Sequence, residues 1–528
     1  MVANIIVMVI LDLWMIANLL YYRSYFSAIP LSSYLLVGNL VDFLPSVTSS
    51  FRWCDALFPI STIAFTFFMF RRTHQSKIIF PYGRWPYFIL LISLFTLLAV
   101  CLSARGGFLT EYRNLLSSSY RHSSGPPLYT LFGKLYFDYA DEQLGLTKEQ
   151  ECEINNWLSE RPVLVPIPDI ESRDNCIFIL AESLESWVLN LTVENQEITP
   201  YLNKLVKDSC TLYAPNVLTQ VNGGRSIDAQ LLLLAGLLPL QSGVYSCRFP
   251  SNTYYTLPKA MKELKGTRNY LFTVDKTQTW NQEAVAQGFG IDTIISHHDF
   301  EMAETFGYRK RLGDRPFFNQ CKEMMENGGG IWPPGEHVFI QMVTVSGHSP
   351  FKMPESLKSV HFSDKVPEVM ADYMSLAHYT DEAIGKFVEY LKTRPEYERT
   401  MVVITGDHEG LADNRKGLCN SEGGKGIVSE KEFTPLIILN SPVAMCYTKV
   451  MGQVDVYTTL LNLLGLEHYR WSGIGQSILD PEKPGVAIGP KRNIEGDTMS
   501  LSHEELLWLQ RSPIMSDRII RADKLKDF

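Results

Sequence analysis

The chain contains 528 residues, of which 46% are hydrophobic and 20% are charged, and this composition excludes a disordered or fibrous protein. Residues 1–104 carry a net charge of +3, which leaves −12 for the remaining 424 residues. Nucleic-acid binding is therefore excluded as the main role, because it needs clustered Lys and Arg side chains.

Apolar residues are concentrated in the first 104 residues, where three segments predict membrane-spanning helices. The segments are 5–22, 56–70 and 86–104, and the last contains 19 residues without a charge. That length is close to the roughly 20 residues that cross a bilayer. Four basic residues in the loop 71–84 place this loop in the cytoplasm. The predicted topology has the N-terminus inside and everything after residue 104 outside.

Asp12 is the one acidic residue within the first predicted span. A carboxylate in a membrane segment is costly and often functional. A hydrogen bond between two helices explains it equally well, and the sequence leaves both interpretations open.

Residues 105–173 predict a tether that contains a helix near 148–158. The nine cysteines include no Cys-x-x-Cys pair, which excludes a zinc ribbon and a thioredoxin-type motif. Residues 481–528 are polar and charged, and we predict a surface appendage or a partly disordered tail.

The segment between these two predicts one α/β domain over residues 174–480. Short apolar runs typical of buried strands occur at 176–181, 338–345, 401–405 and 436–439. Helical patterns lie between them, at 229–236, 257–265 and 373–391. This alternation predicts a mostly parallel sheet sandwiched by helices, with ligands bound beyond the carboxyl ends of the strands.

Polar clusters follow directly on three of the predicted strands. Glu182 follows the first apolar run, His348 follows the second, and Asp407 with His408 follows the third. Carboxylates and an imidazole together suit a divalent cation. The alternative for the Asp407 and His408 pair is a hydrogen bond within a loop, although the flanking glycines favour a tight turn that presents both side chains.

Ser226 ends the sequence Asn-Gly-Gly-Arg-Ser, just before a predicted helix over 228–234. Free backbone N–H groups and the helix dipole favour an anion at such a position. A hydroxyl there suits phosphoryl chemistry, and it suits a simple N-cap equally well.

These motifs, in this order, resemble the lipoteichoic acid synthase group of membrane-anchored phosphotransferases. That group belongs to the alkaline phosphatase and sulfatase superfamily. The resemblance rests on the strand before Glu182, GGRS before a helix, Thr-Trp-Asn at 279–281, GHSPF at 347–351 and GDHEG at 406–410. It covers about residues 174–480 and implies a sulfatase-like α/β catalytic domain behind an α-helical transmembrane region.

The resemblance implies a metal site and a nucleophile. Glu182, Asp407 and His408 would bind one divalent metal ion, with Mn²⁺ expected and Mg²⁺ or Zn²⁺ as alternatives. Ser226 takes the nucleophile position, where the family usually has Thr, and its hydroxyl is a further metal ligand.

The resemblance also implies the substrate contacts, which are Arg225, Trp280, Asn281 and His348. His348 has a catalytic role as well, since it protonates a departing oxygen or binds the phosphate. Two positions differ from the family pattern. Gln282 replaces an Arg that holds a phosphoglycerol head group, and Arg225 replaces a Lys.

The function implied is a membrane-anchored transferase that uses a phospho-Ser intermediate. It would move phosphoglycerol or phosphoethanolamine from a membrane phospholipid to an envelope glycan or lipid, outside the bacterial cell (inner) membrane. A hydrolase of phosphodiesters or sulfate esters is the alternative, although Ser226 is not followed by the x-Pro-x-Arg of true sulfatases. A non-enzymatic sensor or scaffold is a third hypothesis, which the intact set of site residues argues against.

Overall fold

The computed structural model describes residues 2–25, 29, 51–75 and 146–528, apart from 169, 242, 278, 308–309, 327–329, 413 and 491. The chain forms two compact units, Met1–Gly145 and Leu146–Phe528. Residues 146–173, which were predicted as part of the tether, therefore belong to the second unit. The predicted third span, 86–104, lies outside the described residues.

The first unit contains two long helices, α1 (Val2–Tyr25) and α2 (Phe58–Gln75), and a short 3₁₀ helix, Trp53–Leu57. The Thr62 hydroxyl donates a hydrogen bond of 2.6 Å to the buried carboxylate of Asp12. Asp12 therefore forms a hydrogen bond between the two helices, which was one of its two predicted roles. Among the described residues, no helix combines the length and the apolar composition needed to cross a membrane.

The second unit is built on a sheet of nine strands among the described residues. In chain order they are β1 (Asn175–Ala181), β2 (Leu212–Leu218), β3 (Arg268–Thr273), β4 (Thr293–Ile295), β5 (Val338–Val343), β6 (Thr400–Gly406), β7 (Phe433–Leu439), β8 (Met445–Cys446) and β9 (Met451–Gly452). The apolar runs that predicted β1, β5, β6 and β7 all form strands.

The sheet is mostly parallel, as predicted. Its order is β8-β2-β7-β6-β1-β5-β3-β4, with β9 also paired to β2. β1 lies between two parallel neighbours, β5 and β6, and β7 is antiparallel to β6 and β2. In register, Ala181 lies opposite Gly406 and Leu180 opposite Val343. The carboxyl ends of the three central strands therefore meet at one edge.

Helices cover both faces of this sheet. They are α3 (Lys148–Ser159), α4 (Pro200–Leu205), α5 (Ser226–Ala235), α6 (Tyr245–Arg248), α7 (Leu257–Lys265), α8 (Gln282–Phe289), α9 (Asp314–Glu326), α10 (Glu368–Leu391), α11 (Asn414–Asn420), α12 (Gln453–Leu463) and α13 (His503–Arg521). Side chains of β1 alternate between two cores, since Phe178 packs with α5 and α12 while Ile177 packs with α9 and α10.

The prediction of a tail over residues 481–528 is corrected by the structure. Val486–Ile488 and Ile494–Gly496 form a hairpin, and α13 follows it. Met515, Ile519 and Ile520 of α13 are buried in the core that contains Phe178, α5 and α12, which we call the main core. The charged face of this amphipathic helix gives the segment its polar composition, whereas its apolar face packs inward.

Asp381 on α10 illustrates how burial links titration to stability. Its carboxylate accepts the backbone N–H groups of Tyr201 and Leu202, at 2.9 and 2.7 Å. Burial raises the pKa of Asp381 from 3.8 to about 7. Because the pKa is higher in the folded state, the stabilisation is present below the unfolded pKa and is lost as the pH rises through the folded one.

Asp381→Asn should therefore flatten the fall in stability with pH. The amide keeps an acceptor oxygen for one of the two N–H groups, which bind different carboxylate oxygens, and it does not titrate. We expect the free energy of unfolding to decrease less between about pH 4.5 and about pH 7 than in the wild type. Urea unfolding at both pH values measures this difference, and an equal decrease in both proteins would contradict it.

Candidate metal and phosphoryl-transfer site

The sequence-predicted metal ligands come together at the edge where the central strands end. Glu182 is the first residue after β1, and Asp407 and His408 follow β6. One ligand atom from each lies within 4.8 Å of the others, and all three residues are buried. His408 Nε2 is 3.4 Å from Asp407 Oδ2 and 3.5 Å from Glu182 Oε1.

The Ser226 hydroxyl completes this cluster from the first residue of α5. Its Oγ is 3.2 Å from Glu182 Oε2 and 3.3 Å from His408 Nε2. Ser226 does not act as an N-cap, because the cap position is occupied by Arg225. Instead, the Asp228 carboxylate accepts the N–H groups of Asn222 and Gly224, at 3.0 and 2.9 Å. The hydroxyl is thus left facing the cluster.

The donor set fits a divalent cation. Asp407 Oδ1 accepts the N–H groups of Ser183 and His408, at 2.7 and 2.8 Å. Its second oxygen, Oδ2, is buried without a hydrogen-bond partner, which is costly unless a cation binds there. Burial and the charge of Asp407 raise the pKa of Glu182 well above 4.5. A bound cation would remove this repulsion between two carboxylates.

His408 is held in the neutral form that a metal ligand needs. Burial and the nearby Arg225 charge lower the pKa of His408, which keeps the imidazole neutral. Nδ1 lies 2.9 Å from the Glu409 carbonyl oxygen and 2.9 Å from Arg225 Nη2, so the site accommodates two tautomers: Nδ1–H donates to the carbonyl, or Nδ1 accepts from the guanidinium. Only the first tautomer leaves the Nε2 lone pair for a metal ion. Metal-bound histidines commonly have such a hydrogen bond on the second ring nitrogen.

Arg225 faces Glu409 rather than an open pocket. Its guanidinium donates to Glu409 Oε1 at 2.5 Å and to the Glu409 carbonyl at 2.8 Å, and Nη2 is 2.9 Å from His408 Nδ1. Burial would raise the pKa of Glu409, but Arg225 outweighs it and lowers this pKa to about 2. Arg225 has a φ of 49°, which glycine adopts more readily. These contacts offset that strain and place positive charge beside the cluster.

His348 lies in the loop after β5, against the Glu182 loop. A Cβ at Gly347 would lie 2.1 Å from the Glu182 carbonyl oxygen, so only glycine permits this approach. His348 Nδ1 lies 2.6 Å from the Ser349 carbonyl, which fixes the ring. Burial lowers the pKa of His348 to about 4, and the charge of Arg225 contributes. His348 is therefore a neutral imidazole within the field of the cluster.

Trp280 and Asn281, the predicted substrate contacts, are held in place by contacts within the protein. Trp280 is partly buried against the main core and has a φ of 55°. The Asn281 side-chain amide donates to the Ser246 carbonyl at 2.9 Å. Gln282 and Gln230 exchange two amide hydrogen bonds, of 3.1 and 3.2 Å. Because Gln230 is four residues after Ser226 on α5, this exchange ties the Trp280 segment to the helix that carries Ser226.

Three residues that support the site were not predicted. Glu409 holds Arg225, Asp228 holds the Gly-Gly loop, and Glu185 joins the loop after β1 to the loop after β6. Glu409 lies in the motif GDHEG, and Glu185 lies three residues after Glu182, so proximity in sequence was the available signal. Their partners are far away along the chain, and only the fold shows them.

Comparison with known proteins identifies the family. Residues 174–466, more than half of the chain, match the family model described as Sulfatase. The chain belongs to the sulfatase family. Residues 1–124 match the lipoteichoic acid synthase N-terminal domain. The family resemblance indicated by the motifs is thereby confirmed.

Three individual proteins are similar to this chain. Lipoteichoic acid synthase of Staphylococcus aureus strain USA300 is 25% identical over 552 residues, covering 96% of this chain and 82% of the relative. The crystal structure of a lipoteichoic acid synthase from Listeria monocytogenes has a TM-score of 0.55 at 17% identity, covering 70% of this chain and 98% of that one. A protein of the alkaline phosphatase superfamily from Vibrio parahaemolyticus has a TM-score of 0.52 at 15% identity, with coverage of 72% and 98%. These two structures confirm the α/β sulfatase-like fold.

Proposed function

We propose that this sulfatase-family chain is a membrane-anchored, metal-dependent phosphotransferase. It moves a phosphoglycerol or phosphoethanolamine group from a phospholipid to an envelope glycan or lipid. The observation that carries the proposal is the Ser226 hydroxyl, 3.2 Å from Glu182 and 3.3 Å from His408 in a buried cluster. The similarity to a lipoteichoic acid synthase over 96% of the chain supports the reaction class.

Glu182, Asp407 and His408 would hold one divalent metal ion, and the Ser226 hydroxyl would be a fourth ligand. We propose Mn²⁺, with Mg²⁺ and Zn²⁺ as alternatives that the same donor set accepts. When bound, such an ion lowers the pKa of a hydroxyl and stabilises negative charge on phosphoryl oxygens.

The reaction proceeds in two displacements at phosphorus. Ser226 Oγ forms a bond to the phosphorus of the phospholipid, the bond to the diacylglycerol oxygen breaks, and the hydroxyl proton ends on diacylglycerol. The phospho-Ser226 ester then carries the head group. In the second displacement an acceptor hydroxyl attacks the same phosphorus, and its proton returns to Ser226 as the serine ester bond breaks.

The surrounding residues bind and orient the substrate. Arg225 would supply positive charge beside the substrate phosphate while its guanidinium remains paired with Glu409. His348 is neutral, and with Nδ1–H donated to the Ser349 carbonyl its Nε2 carries the lone pair. This nitrogen would accept a hydrogen bond or a proton from a head-group or acceptor hydroxyl. Trp280 and Asn281 would line the pocket for the head group.

Residues 1–104 would anchor the enzyme in a bacterial cell membrane, with the catalytic domain on the extracytoplasmic side. The match of residues 1–124 to the lipoteichoic acid synthase N-terminal domain supports this placement. The uncharged segment 86–104 and the basic loop 71–84 support this orientation. A catalytic domain anchored in this way stays near the head groups of its donor.

Intact mass spectrometry of the full chain tests this proposal. The detergent-solubilised protein is incubated with Mn²⁺ and either phosphatidylglycerol or phosphatidylethanolamine, and any adduct is mapped by peptide. We expect one of the two head groups on Ser226, with diacylglycerol released in equal amount. Chelation of the metal should abolish the adduct. Lipid cleavage without an adduct would instead favour the phosphodiester hydrolase, in which water is the acceptor.

A further inference from the structure

A buried carboxylate, Glu185, joins the two loops that carry the proposed metal ligands. It lies three residues after Glu182 and is fully inaccessible to solvent. Its Oε1 accepts the backbone N–H groups of Gly410 and Leu411, at 2.7 and 3.0 Å. These two residues continue the loop that begins with Asp407. One side chain therefore spans the loop after β1 and the loop after β6.

The charge of Glu185 is matched by a buried arginine. Arg415 Nη2 donates to Glu185 Oε2 at 2.6 Å, and both side chains are buried. Arg415 Nη1 also donates to the Ser429 carbonyl at 2.7 Å. The guanidinium is thus fixed on two sides, and it holds the carboxylate in one orientation.

Tyr373 of α10 fixes the backbone of the same loop. Its hydroxyl donates to the Ser183 carbonyl at 2.6 Å and accepts the N–H of Glu185 at 3.0 Å. Ser183 in turn donates its N–H to the Asp407 carboxylate at 2.7 Å. The network of Glu185, Arg415 and Tyr373 therefore reaches a proposed metal ligand through a single intervening residue.

We propose that Glu185 is a positioning residue that sets metal affinity by holding the two ligand loops at a fixed separation. This role rests on the metal site proposed above. Glu182 comes from one loop, and Asp407 and His408 come from the other, so a shift between the loops pulls the three donors apart. Residues that orient metal ligands from outside the coordination sphere commonly change metal affinity by about 10-fold to 100-fold when replaced.

The test measures Mn²⁺ affinity on the full chain rather than activity. Free Mn²⁺ is quantified by electron paramagnetic resonance during titration of detergent-solubilised wild type and Glu185→Gln. The amide oxygen keeps the acceptor for Gly410 and Leu411, and the N–H₂ group then faces Arg415, so the ion pair is lost. We expect the dissociation constant for Mn²⁺ to rise about 10-fold.

Asp381→Asn is the matched control, because Asp381 is another buried carboxylate that accepts two backbone N–H groups. Its loss should leave Mn²⁺ affinity unchanged. Tyr373→Phe is a milder second variant that keeps the ring and removes only the hydroxyl between Ser183 and Glu185. It should weaken Mn²⁺ binding, although by less than Glu185→Gln does, and it decides the question if Glu185→Gln does not fold.

The outcomes separate this inference from the metal site itself. Weaker Mn²⁺ binding in the Glu185 or Tyr373 variant, with the control unchanged, supports the inference. A folded Glu185→Gln protein with wild-type affinity overturns it and leaves the metal site standing. A wild-type protein that binds no Mn²⁺, Mg²⁺ or Zn²⁺ overturns both.

Discussion

Replacement of Ser226 by alanine is expected to abolish the covalent adduct and to reduce lipid turnover by at least about 1,000-fold. The Ser226 oxygen is the atom that would bond to phosphorus, and alanine offers no substitute. The fold should tolerate the change. Ser226 begins α5 but does not cap it, and Asp228 holds the preceding loop independently of the hydroxyl. Intact mass and release of diacylglycerol, measured on the same sample, check both expectations.

Ser226→Thr is the control for this variant. It retains a hydroxyl at the same position, and Thr is the residue that the resemblance to lipoteichoic acid synthases leads us to expect there. We expect the threonine variant to form the adduct and the alanine variant to form none, while both unfold at temperatures close to that of the wild type. An alanine variant that still carries the head group would place the nucleophile on another residue.

The central strands and their polar ends were predictable because the signal is local. β1, β5 and β6 are buried on both faces, so each is a continuous apolar run in the sequence. Parallel neighbours bring their carboxyl ends to one edge, and this rule alone places Glu182 near Asp407 and His408. The proximity of these three residues thus follows from the short segments that form β1 and β6.

Other parts of the fold depend on contacts that a local pattern does not contain. β2 includes Pro215, which breaks the strand pattern, and the ladder between β2 and β7 shifts register at this point, between Thr434 and Leu436. The partnership of Arg225 with Glu409 joins residues 184 positions apart. In α13 the charged face obscured the apolar one, although Ser502 and Glu505 form a capping box at its start.

Asp407→Asn is expected to be more stable than the wild type without metal and less stable than the wild type with Mn²⁺. Asparagine keeps an oxygen for the Ser183 and His408 N–H groups, as Asp407 Oδ1 does now. Its amide N–H₂ would replace Oδ2, which has no hydrogen-bond partner and lies in the field of Glu182. Without metal, the variant loses a repulsion between two buried carboxylates and should be more stable than the wild type.

With Mn²⁺ the order should reverse. An ion that binds only the folded state adds about 2.7 kcal/mol of stability at 100 times its dissociation constant. The wild type gains this stabilisation, whereas a variant that lacks one of two carboxylate ligands gains little. Thermal unfolding in chelator and in Mn²⁺ therefore gives opposite rankings for the two proteins.

The reversal distinguishes a metal ligand from any other buried acid. Asp314 is the matched control, because it is buried and accepts three hydrogen bonds, from the Val345 and Ser346 N–H groups and the Thr380 hydroxyl. Asp314→Asn lies outside the ligand set, so Mn²⁺ should stabilise it as much as the wild type. If Asp407→Asn gained as much from Mn²⁺ as Asp314→Asn does, the ion would have to bind elsewhere, and the orphaned oxygen of Asp407 would need another explanation.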